Sequence, residues 1–344
     1  MDSLPNELLI HIFSFIDDGF DLLDNVSLVC KHWLTVSRDP RAWSGVVLRW
    51  DSNDRCEVNA KSRILAHAPG LKRLSLAPAA SDNTLAKGLA RCPAVLFSEI
   101  HVGFDVWTIR NPEAITGLMD LLFRSRFHVN NVFIQMSEPA LFHVDSQGQS
   151  LLDILARMKG LTKLTLHWCG ECAYKGELSS GLPRLEYLAF DVDRWGDCVP
   201  KTLVVDLLRG ARGSLKVFKK FNDWCDPLSN LEMDELRQCD CLRAIQCHES
   251  CLPALQGHPC IHALELSCSI LKEGLPAGIA RLRTALLKFC VELTSLRKLQ
   301  FHIYLDQNLD VVEAECNEIA DLFRKLRIDV YMYVYFHEVA SDII

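Results

Sequence analysis

The sequence contains no long hydrophobic run. No stretch approaches the eighteen or more apolar residues that a membrane-spanning helix needs. The apolar run from Leu8 to Ile16 is broken by His11 and Ser14 and ends at Asp17 and Asp18. No basic segment precedes it, so it does not read as an export signal. An excess of basic residues is also missing. The 37 Lys and Arg stand against 44 Asp and Glu, a net charge of −7, which argues against nucleic acid as a general partner because phosphate binding needs a basic surface. There is no glycine-rich phosphate loop, and His337-Glu338 lacks the second histidine of a zinc-protease helix. With 15 Cys and 12 His a Cys/His pair can always be found, but no motif fixes one as nucleophile and base. Neither enzymatic activity nor a cofactor is expected.

Cysteine, by contrast, is plentiful. The count is odd and the chain has 344 residues, which does not fit a small secreted disulfide scaffold. The expectation is an intracellular protein, cytoplasmic or nuclear, whose thiols are reduced and serve mostly as small core residues. The densest group is Cys239, Cys241, Cys247, His248, Cys251, His258, Cys260 and His262. Zinc takes four such ligands, usually in paired short spacings. Cys239-x-Cys241 is tighter than that and no second pair follows, while Cys169-x-x-Cys172 has no partner pair nearby. No metal site is expected. Hydrophobic residues make up 49% and charged residues 24%, which is ordinary for a folded protein. The length points to several domains or to a repeat array.

The first fifty residues have their own organisation. Pro5 is suited to the first turn of a helix, and Leu8, Ile12, Phe15 and Ile16 form one stripe at helical spacing, widened by Leu9 and Phe13. Asp17-Asp18-Gly19 ends this helix. A second helix is read from Leu22, Val26, Val29 and Trp33, and Asp39-Pro40 opens a short third one carrying Trp43. Three short helices cannot bury this much apolar surface among themselves, so another domain or a partner should cover the excess.

The order Leu4-Pro5-x-Glu7-Leu8-Leu9-x-x-Ile12-Phe13-Ser14-Phe15-Ile16, then Ser27-Leu28-Val29-Cys30-Lys31-x-Trp33, then Trp43, resembles an F-box over about 40 residues. Two departures are a loop at Asp17–Phe20 that is about one residue long, and Asn25 where a small or apolar residue is commoner. The resemblance implies that this module docks on the adaptor of an SCF-type ubiquitin ligase and through it on a cullin scaffold. It further implies that Leu4, Pro5, Leu8, Leu9, Ile12, Phe13, Ile16, Val29 and Trp33 form the adaptor-binding set.

Beyond it a pattern recurs. Leu71-x-x-Leu74-x-Leu76 is repeated as Leu161-x-x-Leu164-x-Leu166, Leu185-x-x-Leu188-x-Phe190, Ile261-x-x-Leu264-x-Leu266 and Leu296-x-x-Leu299-x-Phe301, with looser copies from Leu96, Val129, Leu215 and Leu242. Successive starts lie 19 to 35 residues apart, a spacing that brackets the leucine-rich repeat. Helical apolar spacing fills the intervals, for example at Ile115–Phe123, Leu151–Met158, Leu203–Leu208, Ile279–Leu293 and Val311–Leu326. Cys169 alone stands where such repeats usually place Asn or Cys, so an irregular array is expected; a run of α/β units in an open sheet is the alternative. The fold class is therefore α+β: a three-helix F-box over residues 1–48, then an irregular leucine-rich-repeat α/β solenoid over residues 49–344.

In each strand the leucines point inward and alternate residues line the other, concave face. The candidates for holding a protein target are Lys163, Thr165, His167, Tyr187, Asp191, Lys298, Gln300, His302, Tyr331, Tyr333 and Tyr335. The three tyrosines alternate with apolar residues in the last strand and either contact the target or cap the array. The function expected is that of a non-catalytic substrate receptor that tethers a protein target to a ubiquitin ligase, with neither nucleic acid nor membrane as partner. The alternative is a binding scaffold whose cargo is not ubiquitylated.

Overall fold

The computed structural model describes residues 4–51, 58–77, 83–92, 96–103, 112–137, 150–169, 181–192, 199, 201–221, 228–269, 275–290, 293–305, 317–318 and 320–336. The chain divides into two compact units, Met1–Leu185 and Glu186–Ile344. A helical N-terminal region is followed by strands that pair in parallel in chain order, the arrangement of a repeat solenoid.

The first unit opens with helix α1 (Asn6–Phe13), with Pro5 at its N-cap. A π-helical turn, Asp21–Val26, continues into α2 (Ser27–Val29). The second helix was read as continuous to Trp33, but it breaks at Cys30, whose backbone is extended (φ −163°, ψ 169°) and whose sulfur accepts the N–H of Trp33. Trp33 therefore belongs to a separate helix, α3 (Lys31–Val36). The third element of the sequence reading is a 3₁₀ turn, Pro40–Trp43, with Asp39 as its side-chain cap. Trp43 is fully buried, and its indole N–H donates to the carbonyl of Ser37 at 2.7 Å.

Strands β1 (Val47–Asp51), β2 (Gly70–Ala77), β3 (Leu96–Gly103), β4 (Asn131–Ser137) and β5 (Lys163–Cys169) follow. Helices α4 (Val58–His67), α5 (Asn83–Arg91), α6 (Pro112–Ser125) and α7 (Leu151–Ala156) lie between them. The register aligns Leu48, Leu74, Ile100, Val132 and Leu164 in one row, and all five are buried. No unit can cover its own apolar row, so each needs the next.

The second unit repeats the plan with β6 (Tyr187–Val192), β7 (Val217–Phe221), β8 (Ala244–His248), β9 (Ala263–Ser269), β10 (Lys298–Leu305) and β11 (Asp329–Phe336). Its helices are α8 (Lys201–Ala211), α9 (Asn230–Arg237), α10 (Leu252–Leu255) and α11 (Leu275–Cys290). Leu188, Phe218, Ile245, Leu264 and Leu299 form its inner row. The strand starts share one device: a single carbonyl accepts two consecutive N–H groups from the next repeat. Glu186 accepts from Lys216 and Val217, Lys216 from Arg243 and Ala244, Arg243 from His262 and Ala263, and His262 from Arg297 and Lys298. Of the sequence-read helices, the first part of Val311–Leu326 and Cys172 of the cysteine pair lie outside the described residues.

Candidate functional site

The surface of the N-terminal module is built by α1. Leu9, Ile10 and Phe13 turn into the bundle, and Leu9 and Phe13 are each only 1% exposed. Phe13 meets Trp33 edge to face at 5.2 Å. Leu8 and Ile12, at 50% exposure each, share the opposite side of α1, since positions four apart lie on one helix face, and Phe15, at 74%, stands exposed in the turn just past its end. Leu4 and Pro5 are exposed just ahead of the helix, and Leu28 (78%) and Val29 are exposed on α2. Ile16 and Trp33 are half-buried.

The nine residues expected at the adaptor thus fall into three groups: Leu4, Pro5, Leu8, Ile12 and Val29 stand out, Ile16 and Trp33 are partly covered, and Leu9 and Phe13 form the floor. Phe15 and Leu28 are the most exposed large apolar side chains among the described residues. Phe15 belongs to the apolar stripe of the first helix in the sequence, and neither residue is in the adaptor-binding set that the F-box resemblance implies. The helical spacing from Leu8 through Ile12 to Phe15 is the signal for one of them; Leu28 stands in the motif Ser27-Leu28-Val29, but its spacing does not mark it as exposed.

The module is fastened to the first strands. The Val47 N–H donates to Asp17, and the Val46 carbonyl accepts from Lys72 and Arg73. Asp24 pairs with Arg63 of α4 at 2.9 Å. A Cβ on Gly19 would press on Ile64 and on the Trp43 ring, both at 3.2 Å, so the backbone passes close to the first repeat.

Apart from Asp191 and Tyr335, the candidate target residues occupy the strand face away from the inner rows. In the first unit Lys163 is exposed and Thr165 and His167 are half-buried; on the far side of β4, Arg73 of β2 and Glu99 of β3 form an ion pair at 2.6 Å. In the second unit the centre is Glu265. Its carboxylate accepts from Lys219 at 3.3 Å and Gln300 at 3.4 Å, and lies 2.8 Å from Nε2 of His302. Lys219, Gln246, Glu265, Gln300 and Tyr331 share one row, and His302 and Tyr333 belong to the next. The His302 ring stacks on Tyr333 at 5.2 Å, and the Lys298 ammonium lies over Tyr331 at 5.1 Å. Tyr331 and Tyr333 are exposed. Burial, and next the Glu265 charge, push the Tyr187 hydroxyl up. The side chains of Asp191 and Tyr335 lie outside the described residues.

No group of three or more His, Cys, Asp or Glu side chains converges to hold a metal among the described residues. Members of the cysteine and histidine cluster have local partners instead: Cys239 bonds the Glu235 carbonyl, Cys241 the Gly213 carbonyl, and His258 accepts the N–H of Cys260. No helix among the described residues is long and apolar enough to cross a membrane.

Comparison with known proteins agrees with the N-terminal geometry. Residues 1–49 match the F-box-like family, whose modules are typically non-catalytic and serve protein–protein interaction. No curated protein matches the chain. A crystal structure of a Bacteroides fragilis protein is similar at 12% identity and a TM-score of 0.48, over 76% of this chain and 73% of that one. The N-terminal helices of this chain therefore form an F-box-like module, and the parallel strands follow it.

Proposed function

We propose that the protein is a substrate receptor of an SCF-type, cullin–RING ubiquitin ligase. Residues 1–48 dock on the adaptor, and residues 49–344, a leucine-rich-repeat-like domain, hold a protein target for ubiquitylation in the cytosol or nucleus. The observation that carries this reading is the bare stripe Leu8, Ile12 and Phe15, with Leu28 and Val29, on a module that matches the F-box-like family. Apolar side chains left this open on a small helical module mark an interaction site. The role is tethering: the receptor raises the effective concentration of target near the transferring enzyme and performs no bond chemistry itself. The outer strand face, with Glu265 ringed by Lys219, Gln300 and His302 and edged by Tyr331 and Tyr333, suits a polar protein surface.

The test is a pull-down comparing the intact chain with Leu8→Asp plus Ile12→Asp. Both positions are half exposed in the free protein, so the variant should fold. In the complex each carboxylate would be buried without a partner, at about 3 kcal/mol or more together, at least about a hundredfold in Kd. Adaptor and cullin should be recovered with the intact chain alone. Equal recovery by the double variant would refute the assignment of this face. Recovery of neither by the intact chain would leave a repeat protein with no ligase role.

A further inference from the structure

Two arginines stand at the end of α6, and they are used differently. Arg124 gives its guanidinium to the repeat before it: Nη1 donates to the Cys92 carbonyl and Nη2 to that of Leu89. Arg126, in the turn that follows, reaches no neighbouring repeat. Its Nη1 donates to the Phe123 carbonyl at 2.7 Å, which satisfies one of the open carbonyls of the helix end. Its guanidinium carbon lies 4.2 Å from the centre of the Phe123 ring and 4.6 Å from that of Phe127. Both rings are exposed, Phe127 by more than half, at 54%.

One hydrogen bond and two rings fix this guanidinium, yet its Nε and Nη2 have no hydrogen-bond partner among the described residues. Those two donors form the planar fork that takes both oxygens of a carboxylate. Arginine and exposed aromatic rings are also the residue types that dominate binding hot spots. The next repeat adds charge of the same sign. The register that pairs Asn131 with Lys163 sets Lys159 one repeat along from Phe127. The two turns adjoin, since a Cβ on Gly160 would stand 3.0 Å from the Phe127 carbonyl oxygen. Arg157 and Lys159 on that turn are exposed and have no ion-pair partner among the described residues. No Asp or Glu occurs in residues 121–137 or 154–169, in a chain whose net charge is −7. The sign of this edge is thus opposite to that of the whole chain.

We propose that this edge, formed by the turns after α6 and α7, docks an acidic segment of a protein partner. One carboxylate of the segment lies on the Arg126 fork, an apolar side chain next to it covers Phe123 and Phe127, and a further acid meets Lys159 or Arg157. Three cations are few for a phosphate track, and two exposed rings gain nothing from phosphate oxygens. An anionic membrane attracts basic residues by charge whatever their geometry, so it would make no use of a guanidinium fixed in one plane. A carboxylate beside an apolar side chain uses both the fork and the rings. The surface is separate from the Leu8 and Ile12 stripe and does not depend on the ligase reading.

The test is selection of a random phage-displayed peptide library on the full-length chain, with the Arg126→Ala chain as counter-selection. The enriched peptides should join Asp or Glu to a neighbouring large apolar residue. Synthetic copies should bind Arg126→Ala at least about tenfold more weakly than the wild type, the loss expected for a charge-assisted pair. Arg126→Lys keeps the charge without the fork and should bind like Arg126→Ala. Residue 126 lies outside the helix, so both variants should keep the wild-type circular dichroism. Leu8→Asp with Ile12→Asp should bind the peptides as the wild type does, which separates this surface from adaptor docking. Failure to enrich any Arg126-dependent peptide, enrichment of peptides without an acid, or wild-type affinity in Arg126→Lys overturns the proposal. So does Arg126-dependent binding of phosphatidylserine vesicles or of a DNA duplex where no peptide is taken.

Discussion

Asp39 links one carboxylate to the integrity of the F-box-like module. Its side chain accepts the Arg41 backbone N–H at 2.8 Å and the Arg41 guanidinium at 2.8 and 3.1 Å, capping the turn that carries Trp43. Asp39→Ala removes this cap and should cost about 1 kcal/mol in urea unfolding. Asp39→Asn keeps an acceptor and loses only an exposed ion pair, so its cost should be smaller. The Arg41 hydrogen bond holds the Asp39 carboxyl below its ordinary value. A depressed folded pKa gives stability that is full above the unfolded value, about 4, and is lost as pH falls through the folded one. The advantage of the wild type over Asp39→Asn should therefore be present at pH 7 and shrink below about pH 4; a gap constant with pH would show that the charge plays no part. This cap was legible from Asp39-Pro40 because capping is a local property of two or three residues. The exposure of Leu28 was not, since residue type alone does not say which apolar side chains of a crowded module find cover. Leu9 and Phe13 belong to the adaptor set through the resemblance to an F-box, which carries residue positions over but does not tell which of them turn into the bundle, as these two do.

At the scale of elements, α9 shows how a helix with little apolar periodicity is held. Its sequence, NLEMDELR, offers few core residues. Ser229 and Glu232 close a capping box, and Glu232 also receives the Lys220 ammonium from β7. Glu235 on the next turn meets Arg209 at 3.1 Å and also pairs with Arg212, both from the preceding repeat segment. Charges thus do between α8 and α9 part of what leucines do between strands. Lys220→Met leaves the Glu232 carboxylate in the core without its cation and should cost about 3 kcal/mol; Glu232→Gln keeps a capping acceptor but strands the ammonium, at a similar cost. The double variant should be milder than the sum of the two by at least about 1 kcal/mol, because both buried charges are gone together. Additive losses would show that Lys220 and Glu232 do not act as a pair. The strands were readable because Leu-x-x-Leu-x-Leu fixes period, face and register at once. Helix α9 left only its Ser229-x-x-Glu232 signature, and the break at Cys30 left none, since Leu22, Val26, Val29 and Trp33 keep helical spacing straight across it.

For the whole molecule, the decisive question is whether the F-box-like module hangs from the repeats or is part of them. Within Met1–Leu185 the two share a core. Trp43, Leu48, Trp50, Ile64 and Leu65 are all buried, Gly19 runs against Ile64, and a Cβ on Gly70 would press on Pro40. The module thus covers the open end of the first repeat, as a terminal cap must in any array whose units cannot bury their own faces. Deleting residues 1–48 removes that cover, the first residues of β1 and the carbonyl that receives Lys72 and Arg73. Hydrogen exchange on the truncated chain should show protection lost in β2 and β3 and retained from β6 to β11, which lie in the other compact unit. Such a protein would lose target turnover even if the module had no adaptor to bind, so turnover after truncation cannot separate docking from stability, whereas Leu8→Asp with Ile12→Asp can. If β2 and β3 instead keep wild-type protection, the module is an independent bead on the chain. The shared core would then contribute little, and a flexible link, rather than a rigid one, would join the module to the repeats.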